Sequence, residues 1–348
     1  MSLKQKLIEH IRETGPMTVA DFMGAALYDP KDGYYATRPA IGGESADFLT
    51  APEASQMFGE LVGLWCAHEW DVLGKPAFNL IELGPGRGVL MQDMLRATQR
   101  IEGFHDAANV VFVEMSGPLR DEQAERVPNA DWTARLEDAP PGPSLIIANE
   151  FLDCFPIRQF VRDEDGWREK LVGISESDAL TFGLSNALPA PDDDGSEPGM
   201  VREIAPALEA FMYEVESRLH AAPSRALFVD YGYVKPEGAD TLQALKNHKK
   251  VDPLEAPGEA DLTAHVDFAR VARLAQDASL GVGGPISQAH FLRALGIDYR
   301  ADTLAQANPS HAQRLGRELR RLTHADEMGA LFKAICLSSP SLPPPAGF

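Results

Sequence analysis

The chain has 348 residues and 44% hydrophobic content, enough to bury the core of one large or two ordinary domains. Its 32 basic residues against 52 acidic ones leave a formal charge of −20, which disfavours DNA, RNA or an anionic membrane as the main partner and favours a cationic one such as a basic side chain of a protein. Cys66, Cys154 and Cys336 are too few and too scattered for a disulfide framework or a Cys-based zinc site; a reducing compartment fits, and a cytoplasmic location is expected.

Met1 to Gly15 is an amphipathic helix pattern (Leu3, Leu7, Ile8, Ile11) broken by charges, without the apolar core of a secretion signal, and no stretch reaches transmembrane length. Tyr28 to Tyr35 reads as a turn with aromatics, and Ile41 to Asp47 as a loop. Thr50-Ala-Pro-Glu53 reads as a capping box that opens a helix through Phe58, Leu61, Leu64 and Trp65 to Trp70. Residues 1–75 are thus a mainly helical extension, either a lid over a site or plain packing.

The stretch from Asn79 to Arg96 reads as strand, loop, helix: Asn79 to Leu83 suits a buried strand, and Val89, Leu90, Met91, Met94 and Leu95 recur at helical spacing. Gly84, Gly86 and Gly88 remove side chains where a ligand approaches backbone amides at a helix start, with Pro85 tightening the turn. No lysine follows, which rules out a kinase-type phosphate loop, and Gly-x-Gly-x-Gly is not the dinucleotide spacing. Glu82, two residues ahead of Gly84, would repel a pyrophosphate but suits a cation. An ordinary strand-to-helix turn is the plain alternative.

Asn109 to Ser116 is a strand ending in Glu114, placed to accept hydrogen bonds from both hydroxyls of a ribose. Ala130 to Ala134 is a short third strand and Ser144 to Asn149 a fourth. It runs into Asn149-Glu-Phe-Leu-Asp153, where Asn149, Glu150 and Asp153 collect at the carboxyl end of a buried strand, the place where open α/β sheets hold ligands. Two acids three apart on a helical turn would face one pocket; capping a helix after the strand is the alternative. Residues 157 to about 200 read as a β insertion ending in the Pro/Asp/Gly-rich loop Pro189–Gly199, expected to be mobile. A helix over Ala205 to His220 precedes a fifth strand, Arg225 to Tyr233, containing Asp230. Thr241 to His248 is expected to be partly helical, Asp261 to Phe268 opens a helix through Ala275, and Ser279 to Pro285 is a sixth strand. Ser287 caps a helix, Pro309 to Leu322 is another, and Ala330 to Leu337 closes a domain spanning 76–337; the Pro-rich tail 338–348 is expected to be disordered.

Several of these segments together resemble one family, the MidA-like methyltransferases that include the mitochondrial complex I assembly factor. They are Asp47-Phe-Leu-Thr-Ala-Pro-Glu53, Glu82 to Gly88, Val113-Glu-Met-Ser116, Ala148-Asn-Glu-Phe-Leu-Asp153 with Pro156, Val229-Asp-Tyr-Gly-Tyr233, Asp261 to Phe268 and Met328 to Lys333. The glycine loop is generic to methyltransferases; the segments at Asn149 and Asp261 are much more specific. Leu262 for isoleucine and Cys154 for a small residue are modest departures. The resemblance implies an α/β class I methyltransferase fold, Rossmann-like, with seven strands, the last antiparallel, plus added helical and β elements. It implies S-adenosyl-L-methionine as cofactor, held by the glycine loop and Glu114, with Thr50 and its helix nearby. It also implies methyl transfer to protein arginine, in the mitochondrial member on a complex I subunit; neither the acceptor nor the oligomeric state is legible in this chain.

A guanidinium beside a sulfonium places two cations together, which costs energy unless carboxylates compensate. Glu150 and Asp153, with Asn149, suit that task through the paired hydrogen bonds arginine favours. His265 either shuttles the proton or pins its loop, and Asp230 either walls the pocket or caps a strand end. Asp261-x3-His265-x-Asp267 hints at a metal, yet zinc sites gather more His or Cys, and no metal is expected. A methyltransferase for small molecules or other residues, and a non-catalytic assembly chaperone that merely holds the cofactor, are the alternatives.

Overall fold

The computed structural model describes residues 1–37, 50–188, 196–235 and 238–348. The loop expected at Ile41–Asp47 and most of the one expected from Pro189 lie outside the described residues. At the centre is a sheet of seven main strands: β1 (Phe78–Leu83), β2 (Ala108–Val113), β3 (Asp131–Thr133), β4 (Ser144–Asn149), β5 (Ser224–Tyr233), β6 (Gly281–Ser287) and β7 (Phe332–Ser338). Their spatial order is β3-β2-β1-β4-β5-β7-β6, with β7 antiparallel to both neighbours and the other pairs parallel. This is the α/β class I sheet that the resemblance implies. A two-residue strand, Val266–Asp267, pairs parallel with Gly232 and Tyr233 at the carboxyl end of β5, an interior strand.

The order follows from burial. Every residue of β1 is buried, as is all of β5 but its last residue, so these strands are apolar on both faces and must be covered twice. Gln56–Val72, Val89–Thr98 and helices between Gln288 and Thr323 cover one face; Pro206–Ala221 and Phe268–Asp277 cover the other. Gly63 lets Gln56–Val72 lie directly on the helix after the glycine loop, since a Cβ there would come within 2.7 Å of Met94 Cα.

The division expected at residue 75 does not follow the packing. Residues Leu3 to Tyr34 share one apolar core with Ile157, Val172 and Leu180 of the insertion and with Ala244 to Ala264, while Gln56–Val72 belongs to the core of the main sheet. Met17 and Thr18 even pair antiparallel with Val172 and Leu171, joining the inserted sheet. Extension and insertion therefore form one layer beside the carboxyl ends of β4 and β5.

Three local expectations are corrected. Thr50 is the N-cap of a single turn, Ala51–Ala54, with no hydrogen bond from its side chain; the long helix starts at Gln56, where Ser55 Oγ accepts from Met57 N at 3.2 Å. Residues 241–248 are not helical: Gln243–Lys246 and Lys249–Val251 form a hairpin whose two loop residues, Asn247 and His248, have φ of 51° and 60°, as a tight primed turn requires. Asp261–Thr263 is a strand, and the following helix begins at Phe268, capped by Asp267.

The tail 338–348 is ordered. Arg225, fully buried, lies 2.7 Å from the equally buried Glu69, donates to Ser338 Oγ at 2.6 Å, and donates to the Pro343 carbonyl at 2.8 Å. Glu69 Oε1 accepts from Ala346 N at 2.8 Å, and Trp65 Nε1 donates to the Ala346 carbonyl at 3.0 Å. A buried charge pair needs more polar partners than its own elements supply, and the tail provides them. Replacing Arg225 by Met leaves Glu69 uncompensated and should lower the unfolding free energy by about 3–5 kcal/mol. Urea denaturation of R225M checks this, and adding Glu69→Leu should recover most of the loss.

Candidate active site

The site forms where β1, β2, β4 and β5 end. Gly84, Gly86 and Gly88 have φ of 58°, 51° and 77°, a region side chains avoid, so the loop between β1 and the helix Val89–Thr98 needs its glycines. Gly84 N donates to the Val113 carbonyl at 3.1 Å, and Gly88 N to the Pro85 carbonyl at 2.8 Å. A Cβ on Gly84 would meet the Phe151 ring at 2.9 Å, whereas one on Gly86 would meet nothing within 4 Å: that glycine faces open space. Glu82 is buried on the side of the following helix, where burial pushes its carboxyl well above the usual range against a hydrogen bond from Met91 N. Its second oxygen, Oε2, is buried without a hydrogen-bond partner among the described residues.

Glu114 follows β2 directly. Its Oε1 accepts from Ser116 N at 2.7 Å and its Oε2 from Gln123 Nε2 at 3.4 Å, and burial raises its pKa. Met115 beside it is 80% exposed, a large apolar side chain left bare. The unpartnered Glu82 oxygen, the open cradle at Gly86 and the carboxylate of Glu114 are an acceptor-lined cleft with a glycine floor, and they fit a cofactor that carries an ammonium, a sulfonium and a ribose.

The other half of the site is the turn after β4, and it is not helical. Asp230 Oδ2 accepts from Phe151 N, Leu152 N and Asp153 N at 3.0, 2.8 and 3.2 Å, and its Oδ1 from Tyr231 N at 2.9 Å. Asp230 is therefore a backbone clamp, not a pocket wall. The turn it holds puts Glu150 at φ 51°, a left-handed conformation that a glutamate adopts only when its surroundings impose it. Sequence spacing placed Glu150 and Asp153 on one side of a helical turn; the structure keeps them adjacent through this clamp instead.

Glu150 is half-buried. Its Oε1 accepts from Ala51 N at 3.0 Å and from Asn149 Nδ2 at 3.1 Å, so the turn after Thr50 and its neighbour Asn149 both grip it. Burial and nearby Asp153 push its pKa from 4.5 to about 8, against those two donors. Asp153 is buried, accepts from the Tyr231 hydroxyl, and is raised by burial to about 6. Burial first, and then Asp153 and Glu150, also push Asp230 upward against its backbone donors. Among the described residues, no lysine, arginine or histidine pairs with Glu150 or Asp153. Asn149 Oδ1 is buried and has no hydrogen-bond partner among the described residues.

Tyrosines line this acidic half. Tyr28 donates to the Cys154 carbonyl at 2.9 Å, and Tyr35 to Asp261 Oδ1 at 3.3 Å. His265 has its ring edge-on to Tyr231 at 5.7 Å, and its backbone N donates to Thr241 Oγ1 at 2.9 Å, which anchors the loop. Thr50 is half-buried and adjacent to the Ala51 amide that holds Glu150. Sequence reading missed Gln123 and Tyr231. Tyr231 was signalled by its place in the Val229–Tyr233 segment; Gln123 lies in a polar helix with nothing to single it out.

Comparisons with known proteins bear on the family, the fold and the cofactor. The family model described as "Putative S-adenosyl-L-methionine-dependent methyltransferase" matches residues 61–286. "Protein arginine methyltransferase NDUFAF7, mitochondrial" of Homo sapiens is 37% identical over 95% of this chain and 82% of its own length. The protein of the same name from Xenopus tropicalis is 34% identical over 100% of this chain and 89% of its own length. A crystal structure of a superfamily member from Burkholderia thailandensis bound to S-adenosyl-homocysteine superposes with a TM-score of 0.84 at 26% identity, covering 99% of this chain and 94% of that one. The expected cytoplasmic location is corrected: these curated relatives and that of Drosophila melanogaster are named mitochondrial.

The clamp is testable apart from any activity. Asp230→Ala strands three amides of the 151–153 turn, so the unfolding free energy should fall by about 3 kcal/mol or more. Equilibrium urea unfolding unchanged from the wild type would remove Asp230 from this role.

Proposed function

The chain belongs to the S-adenosyl-L-methionine-dependent methyltransferase family, and from that premise we propose that it methylates arginine in a protein substrate, with Glu150 and Asp153 as the groups that hold the guanidinium. One observation carries the acceptor assignment: two neighbouring carboxyls, one buried and one half-buried, both raised, have no cation of this chain beside them among the described residues. Such a pair is costly to ionise alone and is stabilised by a cation from outside. The net charge of −20 favours approach of a basic segment, and the curated relatives carry an arginine methyltransferase name.

When bound, the cofactor supplies an electrophilic methyl group on a sulfonium, for displacement in line. The chain contributes the rest. Gly84 to Gly88 would bring backbone amides close to the cofactor without side chains, Glu82 and Asn149 would offer oxygens that lack a partner among the described residues to its cationic end, and Glu114 would accept from the ribose hydroxyls. With its Oε1 occupied by Ala51 and Asn149, Glu150 has Oε2 left for a guanidinium N–H, and Asp153, steadied by Tyr231, takes a second. That pairing would leave one guanidinium nitrogen free to take the methyl group. The proton that nitrogen must lose goes to Glu150 Oε2, the carboxylate oxygen left to accept its N–H. His265 anchors the loop behind Tyr231. The protein acceptor we propose is a subunit of respiratory complex I, following the assembly-factor resemblance.

Labelled S-adenosyl-L-methionine incubated with the protein and a lysate lacking it should label a protein at arginine, as mass spectrometry of the digest would read. Label only in small metabolites, or at another residue, overturns the acceptor. Glu150→Gln should lower transfer by about 10²–10⁴-fold while cofactor affinity, read by calorimetry, stays nearly intact; lost cofactor binding would contradict the assignment.

The pH dependence has a definite sign. A carboxyl raised from 4.5 to about 8 favours the folded protein while protonated, so without a guest this contribution is lost as pH rises through that interval. A guanidinium guest needs the ionised form, so an arginine peptide should bind more tightly as pH goes from about 6 to about 8. Affinity that is flat or falling across that window, measured by fluorescence anisotropy, would count against the pairing.

A further inference from the structure

Gln123 belongs to the helix Gly117–Arg126 behind the cofactor cleft and has no surface exposure. Both ends of its amide are engaged. Its Oε1 accepts the Trp132 indole N–H at 2.8 Å, and because that group only donates, the amide can face only one way. Nε2 is thereby aimed at two acceptors, the Gly86 carbonyl at 2.6 Å and Glu114 Oε2 at 3.4 Å. The stem packs under the loop, since a Cβ on Gly88 would lie 3.4 Å from Gln123 Cγ.

One side chain thus joins the middle of the glycine loop, the carboxylate at the end of β2 and a ring from β3. These parts come from three separate strand ends. Nε2 is the donor described on Glu114 Oε2, while Ser116 N holds the other oxygen. We propose that Gln123 is a positioning residue for the cofactor: it fixes the direction of Glu114 Oε2 and the plane of the Gly86 peptide, so that both meet the adenosine half in one geometry. The proposal rests on Glu114 being the ribose ligand. It also explains why a neutral amide is needed, because an isosteric glutamate would set a second carboxylate against Glu114 and an acceptor against the Gly86 carbonyl.

Gln123→Glu and Gln123→Met separate this role from packing, with Glu114→Gln measured alongside and S-adenosyl-L-methionine itself as the calorimetric probe. At pH 8.5, Q123E should bind at least about tenfold more weakly than the wild type, with kcat at saturating cofactor nearly unchanged. The new carboxyl, buried beside Glu114, titrates above the ordinary range, and once protonated it donates an O–H where the amide donated N–H. The gap should therefore shrink to within about threefold at pH 6, while Q123M, which cannot donate, should stay weakened at both pH values. Wild-type affinity in either variant at pH 8.5, a Q123E deficit equal at both pH values, or a fall in kcat with unchanged KM overturns the role. If Q123E does not fold, Q123M decides by the same affinity criterion. Normal binding by E114Q removes the ribose assignment and the Gln123 role with it; weakened E114Q with unaffected Gln123 variants removes the Gln123 role alone.

Discussion

Four backbone N–H groups converge on the carboxyl of Asp230, and the acidic half of the cleft depends on that convergence. The chain leaving β4 would otherwise run on toward solvent. Drawn back onto Asp230, it turns within three residues, and the cost of the turn falls on Glu150, which takes a left-handed φ. Strain of this kind persists only when neighbours hold it, and here Ala51 and Asn149 hold the carboxyl while the Val229 carbonyl holds the amide. Glu150 and Asp153 are thereby fixed side by side, with burial opposing the charge that each must carry to do chemistry.

The same constraint gives the N-terminal residues and the insertion their purpose. Residues 3–34, the inserted strands and the segment from Ala244 to Ala264 share one core, and that shared layer brings Tyr28 and Tyr35 against the acids. Ala51 adds its amide from the turn that precedes Gln56–Val72, a helix seated in turn on the one that follows the glycine loop. The cofactor floor and the acceptor wall are therefore mechanically one unit, although 99 residues separate Ala51 from Glu150.

Much of this was legible in the chain. Runs such as Asn79 to Leu83 and Arg225 to Tyr233 are apolar enough that only a twice-covered strand explains them, and the glycine triplet marks a left-handed loop by composition alone. Positions at strand ends, Glu114 and Asn149 to Asp153, follow from where the strands stop. What was not legible depends on partners distant in sequence. Nothing local says that Asp230 clamps the 151–153 turn, that Glu150 leaves the helical region, or that Thr50 yields its capping task to a carboxylate. The Asn247-His248 hairpin was hidden because its strands are short and polar, and the tail read as disordered because its partners, Arg225, Glu69 and Trp65, are apart from it in the chain. The cytoplasmic expectation failed for a different reason: cysteine count and charge report chemistry, not address.

The central claim is that Glu150 is held with no cation beside it among the described residues, ready for one brought by the substrate. Its most direct test is the carboxyl titration of Glu150 followed by carbon NMR in the selectively labelled protein, with and without an arginine-bearing peptide. The arrangement predicts an apparent pKa near 8 in the free protein, falling clearly when the peptide and cofactor are bound. A titration at the ordinary value of 4.5, unmoved by the peptide, would contradict it.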